Sequence, residues 1–508
     1  MQNCKKHKMR YSLLAWLSGI FLFAIAGFRL GDLVRQKWDY SSNNAAQLIV
    51  QGYYEEPEQS LDVLFCGAST VRNGMSPVQM FKEYGFTGYS RATSIQAPVI
   101  SYNLLLETLE NHKLKAVVID ATTLSQVTNN ANDMEGKYHE AIDFMPMSKY
   151  KWNIISEITA NGEYSIADFV LPLYRYHDRW DKLEEQDFTY HSWRKDYPYK
   201  GQYPILKISG YAFPDDYMIP GVMQDTNFQL DNDAIYYFDK IVDLCNAKNI
   251  KLILVKTPVG SWDWQKHDTV AKYAELSGVE FIDFNIPELQ KEIGFDATYD
   301  FCDDGRHPNL TGAKKMSSYI GAYLVEVCDF EDKRGVAGYE AWDESCKLYN
   351  RLLYDRTIIT EANLIKYFDM INRRGYTIII AAQNDTSKYF SDEVKNAFAG
   401  LGLNIDVSDT SYQSYVAVIS EQQVYFEQQA VGSMVSFCDN VSELDLVISS
   451  FADKSIGNST SIRIDGTEYS LQGSGFNVVV YDNIVGQVVA RRTFDTGRSG
   501  NLYTLMEN

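Results

Sequence analysis

Short, continuous apolar runs that alternate with helical patterns constrain the fold of this 508-residue chain more than any other feature. Two such runs lie at residues 62–67 and 115–120, and a third strand is predicted at 87–93 between them. Apolar residues at helical spacing predict helices over 76–84 and 99–111. Buried strands that alternate with helices are typical of a parallel sheet covered by helices, so the sequence predicts an α/β domain.

The same alternation returns after a long interruption. The later elements are predicted as a helix over 233–247, a strand over 251–255, a helix over 268–276, a strand over 279–284 and a closing helix over 311–327. Residues 122–232 lack this alternation and are rich in Tyr, Trp, Asp and Arg. A long insertion at the carboxyl edge of a sheet is typical of a lid or substrate wall, which we expect here.

Ser69 follows the first apolar run and Gly67, so a sharp strand-to-helix turn would expose its hydroxyl at the carboxyl edge of the sheet. A serine becomes nucleophilic when an imidazole accepts its proton and a carboxylate orients that imidazole. Asp304 and His307, three residues apart on a predicted turn, supply both groups, and this spacing selects Asp304 over Asp303. We predict Ser69, His307 and Asp304 as nucleophile, base and orienting acid; the alternative for Ser69 is an ordinary helix N-cap.

These blocks resemble the SGNH (GDSL-type) hydrolases, which carry a Gly-x-Ser motif near the start and an Asp-x-x-His motif near the end. The downstream stretch Asn309-Leu-Thr-Gly-Ala-Lys-Lys315 strengthens the resemblance, because these proteins often follow the catalytic histidine with a polar, Gly-containing turn into a helix. The resemblance implies a three-layer α/β/α domain over residues 58–330. It also implies acyl transfer through an acyl-serine, with no metal and no cofactor.

The expected donors to the oxyanion depart from the SGNH pattern. The family usually places a Gly after the second strand and an Asn after the third, and neither stands in residues 91–96 or 120–123. The backbone N–H of Ser69 is one expected donor, with Ser94 and Thr122 as candidate substitutes. Both substitutes could equally bond the backbone at strand ends.

Four further side chains near the predicted site are candidates for substrate binding. Arg72, Lys256 and Arg306 fall near strand ends or the predicted catalytic turn, and they either bind an anionic substrate or pair with nearby carboxylates. Trp262 either stacks on a sugar ring or packs beneath the insertion.

The N-terminus predicts a membrane segment. Residues 1–10 form a basic tail, residues 11–28 carry no charge, and the predicted span over 11–30 is close to the length that crosses a bilayer. Basic residues stay inside, so the rest of the chain, starting with a stem over 31–57, is expected outside the cytoplasm. A cleaved signal peptide is the alternative, since residues 24–26 fit a small-residue cleavage pattern.

Charge and cysteine usage narrow the possible partners. The net charge of −20 disfavours nucleic acid as a partner. The cysteines show no zinc-type spacing and are expected to be mostly free thiols, with Cys66 as a small buried side chain in the first strand.

The C-terminal region, residues 357–508, is predicted as a smaller mixed α/β domain after a charged linker over 331–356. Its predicted elements are helices over 361–373 and 391–401 and strands over 376–382, 414–419, 461–466, 473–482 and 486–496. It resembles the interleukin-like EMT inducer (ILEI) domain in three motifs, which are Arg374-Gly-Tyr376, Gly475-x-Asn-Val-Val-Val-x-Asp482 and Phe494-Asp-Thr496. That resemblance implies recognition of carbohydrate or of a partner.

Together these features predict a membrane-anchored, extracytoplasmic serine esterase or O-acyltransferase that acts on acyl groups of a cell-surface polysaccharide, with acetyl as the expected group. The chain resembles the divergent SGNH-like proteins that work beside membrane-bound O-acyltransferases, which implies such an enzyme as a partner. The alternative is a non-catalytic glycan-binding surface protein on a decayed hydrolase scaffold, because the expected Gly and Asn are missing.

Overall fold

The structure is a computed structural model, and it describes residues 2–36, 45–125, 134–183, 187–188, 197–222, 228–407 and 411–497, with side chains from residue 16 onward. The chain divides into two compact units, Met1–Cys346 and Lys347–Asn508. The mixed α/β character predicted from the sequence is confirmed, with a parallel sheet in the first unit and antiparallel sheets in the second.

A five-stranded parallel sheet forms the centre of the first unit. Its strands are β1 (Val63–Cys66), β2 (Gly88–Ser90), β3 (Ala116–Asp120), β4 (Lys251–Lys256) and β5 (Glu280–Asp283). They lie in the order β2-β1-β3-β4-β5, and every neighbouring pair is parallel. The chain adds β2 on one side of β1 and then β3 on the other side, so the strand order switches at β1. Open α/β sheets bind ligands at such a switch point, outside the carboxyl ends of the strands.

Helices and a short hairpin complete this unit. The helices are α1 (Gln2–Val34), α2 (Ala46–Tyr53), α3 (Ser69–Gly74), α4 (Pro77–Tyr84), α5 (Pro98–Asn111), α6 (Thr122–Ser125), α7 (Met134–Ile142), α8 (Lys149–Ile158), α9 (Ile166–Val170), α10 (Pro172–Arg175), α11 (Asn232–Lys248), α12 (Trp264–Leu276), α13 (Pro287–Ile293), α14 (Leu310–Val327) and α15 (Glu340–Thr360). The hairpin pairs β6 (Phe301–Asp303) with β7 (His307–Pro308).

Both faces of the parallel sheet are buried, which explains why its strands read as continuous apolar runs. Alternate side chains such as Phe65 and Val118 form one core cluster with Ile320 and Leu324 of α14. The intervening side chains point to the opposite face, where α5 packs against α11 and the two helices contact β1 and β4. Cys66 lies on that face and is fully buried, as predicted.

The described part of the insertion 122–232 contains five short helices, a single 3₁₀ turn (His177–Arg179) and an extended segment. The extended segment runs beside the site region, since the Tyr203 N–H donates to the Arg72 carbonyl at 2.9 Å. Further along, the Ile205 carbonyl accepts from the Leu310 N–H at 2.8 Å. The insertion therefore forms part of the wall around the carboxyl edge of the sheet.

The second unit has two antiparallel sheets and, apart from the end of α15, two helices, α16 (Leu364–Ile371) and α17 (Asp392–Gly400), among its described residues. Its strands are β8 (Tyr376–Gln383), β9 (Gln413–Ser420), β10 (Gln423–Val431), β11 (Val435–Val441), β12 (Leu444–Asp453), β13 (Gly457–Ile464), β14 (Thr467–Glu468), β15 (Gly475–Asp482) and β16 (Gln487–Phe494). One sheet has the order β10-β9-β8-β15-β16 and the other β11-β12-β13-β14. Ile379 and Val479 of the first sheet pack with Ile448 and Ile462 of the second to form the core.

The structure differs from the linker predicted over 331–356, because much of this segment is helical. Residues Glu340–Thr360 form helix α15, and the boundary between the two units falls inside it, after Cys346. The segment before that boundary is anchored to the first unit: Lys333 Nζ lies 2.6 Å from a carboxylate oxygen of the buried Asp62. A single charged residue such as Lys333 makes this contact, and the composition of a charged stretch does not reveal it. The composition alone therefore predicted a linker.

Helix α1 contains the apolar N-terminal segment. Its stretch Trp16–Val34 has a mean hydropathy of 1.7 and is, among the described residues, the one helix long and apolar enough to cross a membrane. Its large apolar side chains, including Trp16 and Phe23, are exposed. A signal sequence near the N-terminus has the same character, so this helix fits both alternatives drawn from the sequence.

Candidate active site

The turn that carries Ser69 follows β1 and packs closely against the end of β3. Gly67 has a φ of +140°, and a Cβ built on it would lie 2.2 Å from the Cβ of Asp120, the last residue of β3. Asp120 Oδ2 then accepts hydrogen bonds from the Ala68 N–H at 3.2 Å and from the Thr70 hydroxyl at 2.5 Å. Glycine at 67 and a carboxylate at 120 therefore hold Ser69 at the start of α3, at the carboxyl edge of the sheet.

A second support for this turn comes from the loop after β2. The Gln96 side-chain oxygen accepts from the Gly67 N–H at 3.3 Å, and its amide donates to the Arg91 carbonyl at 2.7 Å. The Thr93 N–H donates to the Gly67 carbonyl at 3.2 Å. The loop that carries Ser94 is thus fixed beside the Ser69 turn.

Ser69 and His307 meet although 238 residues separate them in the sequence. The Ser69 Oγ lies 2.8 Å from Nε2 of His307, and Nδ1 of the same ring lies 2.7 Å from Oδ2 of Asp303. A carboxylate can only accept, so Nδ1 carries the proton and Nε2 is left to accept from the serine hydroxyl. The three side chains therefore form a Ser-His-Asp arrangement with the proton on the nitrogen that a general base requires.

The orienting carboxylate is Asp303, not the predicted Asp304. Asp303 and His307 are directly opposed across the β6–β7 hairpin, so their side chains lie together on one face, whereas Asp304 is exposed in the turn between them. The His307 backbone N–H also donates to Asp303 Oδ1 at 2.8 Å. The Asp304-Gly305 dipeptide predicts a hairpin turn, but a two-residue turn there would pair Asp303 with Arg306; the observed three-residue turn over 304–306 pairs Asp303 with His307.

The local charges favour an ionised Asp303. Burial works to raise the pKa of its carboxyl, but the hydrogen bonds and charge of His307, together with the Arg306 guanidinium, hold that pKa below its usual range. Asp303 is therefore ionised at neutral pH and available to stabilise a protonated His307.

Ser94 is hydrogen-bonded to Arg72 and Glu140. The Ser94 N–H donates to Glu140 Oε1 at 2.9 Å, so this backbone group already has an acceptor. Arg72 Nη1 donates to the Ser94 hydroxyl oxygen at 3.2 Å and to Glu140 Oε1 at 3.1 Å. Because an arginine has no acceptor, the Ser94 oxygen accepts this bond and its hydroxyl proton is directed elsewhere.

Thr122, two residues after the end of β3 and at the start of α6, has a similar arrangement. Its N–H donates to Asp120 Oδ1 at 2.9 Å, and its hydroxyl oxygen accepts from Lys256 Nζ at 3.0 Å. Burial lowers the pKa of Lys256, although the carboxylates of Asp120 and Asp283 oppose that shift. Each of the two candidate hydroxyls is thus hydrogen-bonded by a buried cation.

The four predicted substrate-binding side chains have different positions. Arg72 and Lys256 are almost fully buried and bond the residues just described, so neither is presented to solvent as a free cation. Trp262 is only 4% exposed and donates from Nε1 to Asp283 at 2.9 Å, so it packs within the fold rather than offering a face to a sugar. Arg306 is exposed beside Asp303, with its Nε 3.8 Å from Oδ2.

The cysteines of the described region are free thiols, as predicted. Cys302 lies next to the hairpin, with Sγ 3.3 Å from the His307 carbonyl oxygen, and burial raises its pKa to about 12. A thiol with such a pKa is a poor nucleophile at neutral pH, so Cys302 is a weak candidate and Ser69 stays the candidate nucleophile of this arrangement.

Comparison with models of known protein families finds no match for this chain, and no curated protein matches it. The functional argument therefore depends on the fold and on the arrangement of these side chains.

Proposed function

We propose that this protein is an SGNH-type serine esterase or O-acyltransferase that acts on acyl groups of cell-surface glycan through an acyl-serine intermediate. The observation that carries the proposal is the Ser69–His307–Asp303 arrangement, with contacts of 2.8 and 2.7 Å, at the switch point of a parallel sheet. Structural serines cap helices often, but they rarely contact an imidazole that is itself oriented by an ionised carboxylate.

The first half of the reaction forms the acyl-enzyme. The Ser69 oxygen attacks the ester carbonyl of the donor while His307 Nε2 accepts the serine proton, and Asp303 stabilises the imidazolium. The resulting tetrahedral oxyanion collapses, the bond to the leaving alkoxide breaks, and His307 returns its proton to that alkoxide. The products are an acyl-Ser69 ester and an alcohol.

The second half releases the acyl group. A hydroxyl compound attacks acyl-Ser69, His307 accepts its proton, and the proton returns to Ser69 as the new ester or acid departs. With water as the acceptor the enzyme is an esterase, and with a sugar hydroxyl it is an O-acyltransferase.

The oxyanion requires hydrogen-bond donors aimed at its position. The Ser69 N–H is the first of helix α3, so it has no partner within the helix. The Ser94 hydroxyl is the second proposed donor, because its oxygen accepts from Arg72 and its proton is therefore available. Thr122 is a third candidate through its hydroxyl, which a buried lysine holds in place.

The glycan part of the proposal rests on location and on the resemblances drawn from the sequence. An apolar N-terminal helix that anchors the chain would place Ser69 outside the cytoplasm, on the side of the membrane where a cell-surface polysaccharide lies. A membrane-bound O-acyltransferase is the proposed partner that supplies acyl groups. The C-terminal unit is proposed as an ILEI-like recognition domain.

A non-catalytic glycan-binding protein remains the second candidate, because the usual Gly and Asn donors are missing from residues 91–96 and 120–123. The arrangement of Arg72 around Ser94 favours the enzyme, since a decayed site would not need a cation-supported hydroxyl beside an oriented serine and histidine.

A fluorophosphonate probe separates the two candidates. The purified full-length chain should be labelled and should hydrolyse an aryl acetate. Ser69→Ala should abolish labelling and lower turnover by orders of magnitude, and His307→Ala should have a comparable effect on turnover. Ser156→Ala, at an exposed serine of helix α8, is the matched control and should behave as the wild type. Labelling or turnover that survives in Ser69→Ala would refute the proposal.

A further inference from the structure

A cleft of about 280 Å³ lies beside the Ser94 loop and is separate from the Ser69–His307 pair. Its walls come from helices α7, α8 and α11, from the loop over 160–164 that follows α8, and from the start of α5. None of the proposed catalytic groups lines it.

Aromatic rings dominate the apolar part of this cleft. Tyr138 and Tyr164 meet edge to face with centroids 5.8 Å apart, and Tyr236 and Tyr237 meet the same way at 5.1 Å. Tyrosine combines a flat apolar ring with a polar tip, so it packs against the C–H face of a sugar and bonds its hydroxyl groups.

The polar part of the cleft is acidic. Glu157, Glu163, Asp231 and Asp233 line it together with Asn161, and no lysine or arginine occurs among its described lining residues. Carboxylate and amide oxygens accept hydrogen bonds from sugar hydroxyl groups. The same carboxylates repel phosphate, sulfate and uronate groups, so an anionic ligand is disfavoured.

A lysine of the protein itself already uses part of the tyrosine ring surface that a cationic ligand would need. Lys240 Nζ lies 4.2 Å from the ring centroid of Tyr236 and 5.2 Å from that of Tyr237. Its ammonium group therefore already makes the cation–π contacts that these two rings would offer to an amine. An uncharged polyol fits both the remaining ring surface and the acceptors.

The cleft lies close to the proposed reaction site along two paths. Ala97 is three residues from Ser94, so their Cα atoms are at most about 11 Å apart. Tyr138 is two residues before Glu140, whose Oε1 accepts from the Ser94 N–H at 2.9 Å. A glycan seated here would place neighbouring units of the same chain near Ser69.

We propose that this cleft is a glycan subsite that holds an uncharged sugar unit of the polymer on which Ser69 acts. The link to catalysis rests on the proposed function, whereas sugar binding is independent of turnover. Binding and catalysis can therefore be tested, and can fail, separately.

Calorimetry on the full-length protein in detergent tests the assignment with four hexasaccharide probes. These are cellohexaose, a hexamer of N-acetylglucosamine, its deacetylated cationic form and hexagalacturonate. We expect at least one neutral hexamer to bind more tightly than both charged forms. Tyr164→Ala and Glu157→Ala should each weaken that binding at least tenfold, whereas Tyr174→Ala, at an exposed tyrosine outside the cleft, should leave it unchanged.

The possible results are distinct. Glu157 is exposed, so its substitution should preserve the fold, and thermal unfolding of each variant checks this. Absence of neutral-sugar binding, tighter binding of a charged hexamer, or binding insensitive to a folded Glu157→Ala variant would overturn the assignment. Ser69→Ala should bind the neutral hexamer as the wild type does, so failure of the catalytic proposal would leave this result standing.

Discussion

The two units both bury charged side chains at one end of a sheet, but they do so in different ways. In the first unit, the charges surround a half-buried serine that touches a histidine. In the second unit, no histidine is present, because the last histidine of the chain is His307. Under the proposed function, the first unit uses its charged side chains for catalysis, whereas the second unit uses them to hold the fold together.

The second unit's cluster consists of Arg351, Asp355, Tyr376 and Asp482. Arg351 Nε donates to Asp482, and its Nη2 donates to the Gly375 carbonyl at 2.9 Å. The Tyr376 hydroxyl donates to Asp355 Oδ1 at 2.5 Å. These contacts join helix α15 to strands β8 and β15, so the cluster ties elements together.

The first unit's cluster instead leaves its reactive atoms accessible. The side chains of His307 and Asp303 are 23% and 29% exposed, whereas Asp482 is fully buried. Perturbed or buried charge is therefore a weak indicator of a catalytic site by itself. An accessible nucleophile within reach of an oriented base is the distinguishing feature.

The largest expected effect comes from the two neighbouring aspartates of the hairpin. Asp303→Asn removes the carboxylate that fixes the His307 tautomer, so turnover of an aryl acetate should fall by about 10⁴-fold. Asp304→Asn makes the same chemical change one residue away at an exposed position and should alter turnover only slightly. A larger loss in Asp304→Asn than in Asp303→Asn would mean that the hairpin pairs differently in the active protein.

This pair also marks a limit of prediction from the sequence. The positions of Ser69 and His307 follow from an apolar strand, a Gly turn and a late histidine, all of which are local patterns. The choice between Asp303 and Asp304 depends on which residue faces His307 across a three-residue turn. A spacing motif does not contain that register.

Other residues that support the site were not predicted from the sequence, because they act through long-range contacts. The bounds of β1, β3 and β4 were predictable because both faces of the sheet demand apolar runs. Asp120, Gln96 and Glu140 support the site through hydrogen bonds between residues 29 to 52 positions apart in the sequence. No sequence periodicity reports such contacts.

The second unit was harder to predict for a different reason. Strand β10 (Gln423–Val431) is mostly exposed and mixes polar with apolar residues, and β12 buries only alternate residues. Strands that lie at an edge or have one solvated face lack the continuous apolar signal of a buried parallel strand. The motif at 475–482 was visible because β15 is a central, almost fully buried strand of its sheet.

An intermediate effect is expected at the proposed oxyanion donor. Ser94→Ala removes one hydroxyl donor and should lower kcat for an aryl acetate by about 10²-fold, with a smaller change in KM. Ser156→Ala serves again as the control. An unchanged kcat in Ser94→Ala would show that the Arg72–Glu140–Ser94 contacts are structural, as the cluster of the second unit is.

The smallest effect concerns stability of the second unit rather than activity. Burial raises the pKa of Asp355 to about 7, with the Asp482 carboxylate adding to this rise and with the Tyr376 hydrogen bond and Arg351 opposing it. Its second carboxylate oxygen has no hydrogen-bond partner among the described residues. The folded unit therefore favours a protonated Asp355, which an unfolded chain releases near pH 4.

The sign of the pH dependence follows from that difference. Between about pH 4 and 7 the folded state binds a proton that the unfolded state does not, so this contribution to stability is complete below pH 4 and is lost as the pH rises through about 7. Protection factors from hydrogen exchange of the Tyr376–Gln383 amides should be higher at pH 5 than at pH 8. Asp355→Asn stays neutral at every pH and should flatten this dependence, whereas Asp439→Asn, at an exposed aspartate of the same unit, should retain it. Equal protection at both pH values in the wild type would contradict this prediction, as would an unchanged pH dependence in Asp355→Asn. Either result would mean that the Asp355 carboxyl is ionised in the folded state and that Arg351 compensates its charge.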